Sequence, residues 1–181
     1  MAGEFITDIN EIRRRARQHI EQGAVTESYG GNRETVLKLL NEALATEIVC
    51  VLRYKRHFFM AQGIDAESVA TEFSQHAAEE QEHADRIAER IVQLQGEPNF
   101  NPEGITGRSS SEYKEGTNLI DMIKEDLIAE RIAIDTYRAM IEYVKDFDPT
   151  TRRMLEDILA KEEEHAEDLA SMIARMDKKA S

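Results

Sequence analysis

Two Glu-x-x-His motifs constrain this chain more than any other feature. They are Glu80-Gln81-Glu82-His83 and, 82 residues later, Glu162-Glu163-Glu164-His165. Each falls in a long segment of helical period, and residues three apart on an α-helix share a face. Each motif therefore presents a carboxylate beside an imidazole, a two-pronged grip for a metal ion. One such motif is weak evidence in an acidic helix. Here each follows a further Glu at nearly the same distance, Glu47 before the first and Glu130 before the second. That pattern restricts the chain to folds that bring two helical hairpins together.

The breaks between helices are few and regular. Asp8 and Glu11 make a capping-box-like start to a short first helix, which Gly23 and Gly30-Gly31 separate from the rest. Ile9, Ile12, Ala16 and Ile20 form its apolar stripe, and Arg13, Arg14, Arg15 and Arg17 its outer face. A long helix is predicted from Asn32, its N-cap, to Ala61, ended by Gly63. A second runs from Asp65 to Gln95 and stops at Gly96-Glu97-Pro98. Residues 96–116 are a long connection rich in Gly, Pro, Asn and Ser. A third helix is predicted from Thr117 to Lys145, and a fourth from Pro149, at its first position, to Met176.

The expected fold is therefore all-α: a four-helix bundle of two antiparallel hairpins with one long crossover, plus a short N-terminal helix. Residues 1–31 form the N-terminal extension, with 1–7 a loose terminus. Residues 32–177 form the bundle and 178–181 a C-terminal tail. A connection of ~20 residues spans the ~40 Å of a 28-residue helix, so the second and third long helices can run parallel.

In an antiparallel hairpin, two residues at one level are equidistant from the turn. Glu47 and Glu80 average to position 63.5, at the Gly63 turn; Glu130 and Glu162 average to 146, at the Asp146–Pro149 turn. Each lies ~24 Å from its turn, near mid-helix. The hairpins also repeat. Adding 83 takes Glu47 to Glu130 and Tyr54 to Tyr137, and adding 82 takes Glu80 to Glu162 and His83 to His165. A pseudo-twofold bundle gathers four carboxylates and two imidazoles at its middle. Such a set holds two divalent ions, with two carboxylates bridging and one His on each ion. Four carboxylates neutralise two 2+ charges, which makes burial affordable. Mixed oxygen and imidazole ligands suit Fe(II), Mn(II) or Zn(II).

The net charge of −13 argues against nucleic-acid binding over the whole surface and fits a protein that attracts cations. The lone Cys50 excludes an intrachain disulfide framework and a four-cysteine metal site. With no apolar run near the ~18 residues of a membrane span and no signal-peptide pattern, a cytoplasmic protein is expected.

On these motifs, residues 34–176 resemble the ferritin-like superfamily, and most closely bacterioferritins and Dps-like mini-ferritins with a bacterioferritin-type site. The resemblance implies a ferroxidase centre of Glu47, Glu80, His83, Glu130, Glu162 and His165 holding two Fe ions per subunit. It implies Tyr54 and Tyr137 as tyrosines that hydrogen-bond ligand carboxylates, and Asp126 as a carboxylate that orients a ligand His. The implied function is iron storage and detoxification: Fe(II) is oxidised by H2O2 or O2 and stored as Fe(III) in a hollow shell, protecting against oxidative stress. Bacterioferritins carry a haem-ligating Met after the first motif's Glu, whereas this chain has Gln81, so no haem is expected. Too few residues follow His165 for a fifth helix, which favours a 12-subunit homo-oligomer over 24. Cys50 lacks the partner cysteine that some Dps-like relatives carry, and is read as a small buried hydrophobe. His76, two turns before His83, either lines an iron path or is merely hydrogen-bonded. Two other readings stay open: a di-manganese catalase or di-iron peroxidase without storage, and a Dps-type nucleoid protein that binds DNA through Arg13–Arg17.

Overall fold

A computed structural model describes residues 8–63 and 66–180. Among the described residues there are six α-helices: α1 (Ile9–Arg15), α2 (Arg33–Met60), α3 (Ala66–Gln93), α4 (Ile105–Arg108), α5 (Leu119–Val144) and α6 (Pro149–Ala180). No strand occurs among the described residues, and no helix there is long and apolar enough to cross a membrane. The expected start of the second long helix at Asp65 and the expected loose terminus over 1–7 lie outside the described residues.

Local chemistry sets the helix ends. Asn32 accepts from the Thr35 backbone N–H at 3.1 Å, Asn118 from Asp121 at 3.0 Å and Asp148 from Thr151 at 2.9 Å. The third long helix starts at Leu119 rather than Thr117 because Asn118 is its cap. Pro149 takes the first position of α6, where a missing N–H costs nothing. At the end of α3, Gln95 adopts φ 61° and Gly96 N–H bonds Ile91 O at 2.9 Å. Gly96 is there for another reason: a Cβ on it would sit 2.3 Å from Leu37 Cδ2 of α2. α6 continues through Ala180, so residues 178–180 of the expected tail are helical.

The first helix differs from its expected form. It ends at Arg15, followed by i→i+3 turn bonds from Arg17 to Arg14 and from Gln18 to Arg15. Ile20 falls in a separate 3-10 turn, so no continuous stripe joins it to Ile9 and Ile12, and all three are exposed. The apolar period was too short to hold a helix without a surface to pack on.

The crossover shows how the hairpins are arranged. Asn41 bonds Glu97 O and Asn99 N, Thr46 accepts from Ser110 N, and Arg53 reaches Ser111 and Glu112 O. Arg56 and His57 meet residues 114–115. The connection therefore runs along α2 from its first third to its last turn, and α5 starts beside the end of α2. This makes α5 antiparallel to α2 and parallel to α3. The core forms two apolar clusters. One centres on Leu40, Leu44, Ile87, Ile91, Leu155 and Ile158, the other on Tyr54, Phe73, Ile123 and Leu169. A polar layer separates them.

One end of the bundle is tied by Asp148, which is buried. It accepts from Arg90 of α3 at 2.8 Å, from the Thr151 hydroxyl at 2.6 Å and from Tyr29 of the N-terminal segment at 3.0 Å. Asp148→Ala removes a helix cap and leaves the Arg90 guanidinium unpaired. The expected cost is about 3 kcal/mol, seen as a thermal midpoint lowered by roughly 6–12 °C at fixed protein concentration. An unchanged midpoint would show that this network does not hold the bundle end.

Candidate metal centre

The polar layer is built by one level of each long helix. α2 supplies Glu47, α3 supplies Glu80 and His83, α5 supplies Glu130, and α6 supplies Glu162 and His165. All six are buried. Their ligand atoms form two overlapping groups: Glu47, Glu80, His83 and Glu162 lie within 4.8 Å of one another, as do Glu80, Glu130, Glu162 and His165. The two groups share Glu80 and Glu162. These two carboxylates are placed to bridge, while each ion would keep one terminal Glu and one His. His83 Nδ1 lies 3.2 Å from Glu80, 3.5 Å from Glu47 and 2.9 Å from Glu162. His165 Nδ1 lies 3.6 Å from Glu80 and 3.9 Å from Glu130 and Glu162.

The donor set suits divalent cations. Glu47 Oε2, Glu80 Oε1, both Glu162 oxygens and His165 Nδ1 are buried atoms without a hydrogen-bonding partner among the described residues. The 2.9 Å approach of His83 Nδ1 to Glu162 does not have hydrogen-bond geometry and leaves the Glu162 oxygens unsatisfied. Orphaned buried polar atoms each cost about 1–3 kcal/mol, and here they converge on one locus.

Titration reflects the crowding. Burial, and then the charge of Glu80, push Glu47 up to about 8. Burial and the charges of Glu80, Glu47 and Glu130 push Glu162 well above the usual carboxylate range. Burial also acts to raise Glu80, but its contacts with Glu47, His165 and His83 outweigh it and keep Glu80 ionised. Burial disfavours charge on both imidazoles, yet the surrounding carboxylates hold His83 up to about 10 and His165 up to about 9.

Tyr54 of α2 donates to Glu130 of α5, and Tyr137 of α5 donates to Glu47 of α2. Each hairpin's terminal carboxylate is thus held by the other hairpin's tyrosine. Asp126 is different from its expected role. It does not meet His83 or His165, because its two oxygens are taken by Arg53 Nε and His57 Nδ1, each at 2.8 Å. Arg53 and His57 go on to bond the crossover backbone, so Asp126 fastens the crossover to α2 and α5. The carboxylate that orients a candidate ligand is Glu79, which accepts from His165 Nε2 at 2.6 Å. That bond keeps a ring proton on Nε2, so that Nδ1 faces the centre and becomes a ligand once an ion displaces its proton. Glu79 directly precedes a motif Glu, and its sequence position carried no signal beyond that of any exposed helix Glu.

His76 is fully buried, stacked on His165 at 4.0 Å and within 3.2 Å of the Tyr54 hydroxyl. The buried Cys50 lies 3.6 Å from Arg53 Nη2 and belongs to none of the ligand groups. Gln81 faces solvent and donates to Asp85 at 3.0 Å.

Residues 37–179 match the ferritin family, described as a ferritin-like domain. Bacterioferritin of Mycobacterium bovis is 30% identical over 144 residues, covering 79% of this chain and 86% of its own. A solved dodecameric thioferritin, the bacterioferritin-related protein of Bacteroides fragilis, superposes with a TM-score of 0.77 at 31% identity, over 82% of this chain and 91% of that one. A ferritin-like, diiron-carboxylate protein of Bacillus anthracis gives 0.70 at 25% identity, over 78% and 96%.

Two outcomes are expected. The raised pKa values mean that Glu47, His83 and His165 keep their protons at neutral pH, and a bound ion must displace them. Affinity for Zn(II) therefore rises with pH between about 6 and 8, roughly tenfold per unit for each proton displaced. Calorimetry in buffers of different ionisation enthalpy reads the protons released, and a pH-independent affinity would contradict this assignment. Glu79→Gln weakens one of two bound ions by about 10–100-fold and leaves the other, as the titration curve splitting into two steps would report.

Proposed function

Because the chain belongs to the ferritin-like family, we propose that it is an iron-storing mini-ferritin whose subunit oxidises Fe(II) between Glu47, Glu80, His83, Glu130, Glu162 and His165. The observation that carries this reading is the pair of overlapping four-residue ligand groups sharing Glu80 and Glu162. Iron is here substrate and cargo. Two Fe(II) ions held side by side supply one electron each. With H2O2 and two protons they yield two Fe(III) and two water molecules; with O2 and two protons they yield two Fe(III) and H2O2. Removing Fe(II) and peroxide together protects the cell from oxidative damage.

The chain's own groups do the positioning. Glu80 and Glu162 keep the ions close by reaching both. Tyr54 and Tyr137 hold Glu130 and Glu47 in place through their hydroxyl protons. Glu79 fixes the His165 tautomer. The four carboxylates match the charge of two divalent ions; oxidation to two trivalent ions leaves two positive charges in excess, which water-derived hydroxide balances as Fe(III) leaves for the mineral. A 12-subunit shell is the assembly that goes with this reading, as in the Bacteroides fragilis relative. A DNA-binding role draws little support from α1, where Arg14 and Arg15 are engaged by Glu11 at 2.8 and 2.7 Å.

Aerobic Fe(II) addition, followed by absorbance and by iron retained after gel filtration, tests the proposal. The expected result is retention of many more than two iron atoms per subunit, with no Soret band in the same spectra. Glu162→Gln slows oxidation by more than about 100-fold, beyond the loss that a change outside the ligand set causes. Retention that stops at two per subunit would replace storage by a peroxidase or catalase reading.

A further inference from the structure

The bundle's internal repeat breaks at His76, beside the metal centre. The offset of 82 that relates Glu80 to Glu162 takes His76 to Ile158 and Glu72 to Met154, and in reverse takes Asp168 to Arg86. Ile158 is a buried core residue. The second hairpin thus fills the equivalent position with an apolar side chain, and the fold itself does not call for a buried histidine at 76.

Hydrogen-bond bookkeeping shows what His76 has to spare. The Tyr54 hydroxyl has one proton, and it goes to Glu130. Its oxygen, 3.2 Å from His76 Nδ1, must then accept, so Nδ1 carries the ring proton and Nε2 presents a lone pair. Nε2 is buried without a hydrogen-bonding partner, 3.3 Å from Glu72 Oε1. An imidazole lone pair facing a carboxylate oxygen repels it, and a cation shared by the two turns that repulsion into attraction. Asp168 of α6 completes the set: ligand atoms of Glu72, His76 and Asp168 lie within 4.8 Å of one another.

This trio connects two features. On its outer side, Glu72 lines a surface pocket of about 370 Å³ between α3 and α6, together with Val69, Met172, Arg175 and Met176. On its inner side, His76 also groups with Glu130 and His165, which in turn group with Glu80 and Glu162. A continuous series of overlapping ligand sets runs from the pocket to the metal centre, each sharing a residue with the next.

We infer that Glu72, His76 and Asp168 form a third divalent-cation site, which takes Fe(II) from the α3–α6 pocket and passes it to the paired site. The inference rests on the proposed ferroxidase reading. Two carboxylates balance one 2+ ion, and one imidazole with two carboxylates leaves coordination positions for water. The ion is held more loosely here than among four carboxylates, as a transfer site requires. Arg175 and Lys178 on the pocket wall are the opposing charges, so both acids are needed to offset them and hold a cation at this place.

Anaerobic Co(II) titration of the assembled protein, with bound metal counted by equilibrium dialysis, provides the test. The native protein is expected to bind three ions per subunit and Glu72→Gln/Asp168→Asn two. The double variant is also expected to oxidise Fe(II) several-fold more slowly when iron is limiting. Asp168→Asn alone serves if the double variant does not assemble. Two ions on the native protein would overturn the third site and leave the paired one standing. Three ions on the variant would place the extra ion elsewhere and equally overturn it. Failure of the native protein to bind any ion would instead remove the ferroxidase reading on which the inference rests.

Discussion

Four carboxylates buried within a few ångströms of one another are the constraint from which the rest of this structure follows. Isolated, such charges would cost several kcal/mol each to bring out of water. Two imidazoles, two tyrosine hydroxyls and shared protons reduce that cost without cancelling it, as the raised titration of Glu47 and Glu162 shows. The apolar clusters above and below then have a purpose beyond stability. They fix the four helices tightly enough that oxygens which repel one another cannot move apart. The ends are secured separately, by Asp148 with Arg90 at one and by Arg53, Asp126 and His57 along the crossover.

Much of this was legible from residue spacing. Hairpin geometry makes levels additive, so Glu47 could be matched with Glu80, and Glu130 with Glu162, before any coordinates. The N-caps Asn32 and Asn118 differ in this respect: the first was readable because Gly30-Gly31 precedes it, the second was hidden because Thr117 is an equally good candidate one residue earlier. What spacing cannot reveal is the sideways neighbour. Asp126 lies one turn before Glu130 and so shares its helix face, yet the guanidinium of Arg53 and the ring of His57 claim it. Nothing along the chain announces that an arginine in a helix is fully buried. Glu79 shows the converse. It sits at the margin of the α3 face, and only the orientation of His165 on another helix makes it part of the site.

The N-terminal segment shows where pattern outran packing. Its isoleucines had helical spacing, but a stripe holds a helix only where something covers it. Nothing among the described residues covers Ile9, Ile12 or Ile20, and the helix ends after two turns. Further along, where Tyr29 meets Phe147 edge-on at 6.0 Å and bonds Asp148, the same segment is anchored to the bundle.

The exchange of tyrosines between hairpins has a consequence for how such a molecule can arise and change. The internal repeat looks like two copies of one helical pair, as though each were a self-sufficient half-site. It is not one, because Tyr54 serves Glu130 and Tyr137 serves Glu47. A drift in the helix spacing of either half would be felt as a loosened carboxylate in the other. The two halves are therefore free to diverge away from these contacts, as the buried pair Ile158 and His76 has done, but are bound to a common evolutionary pace wherever they reach across.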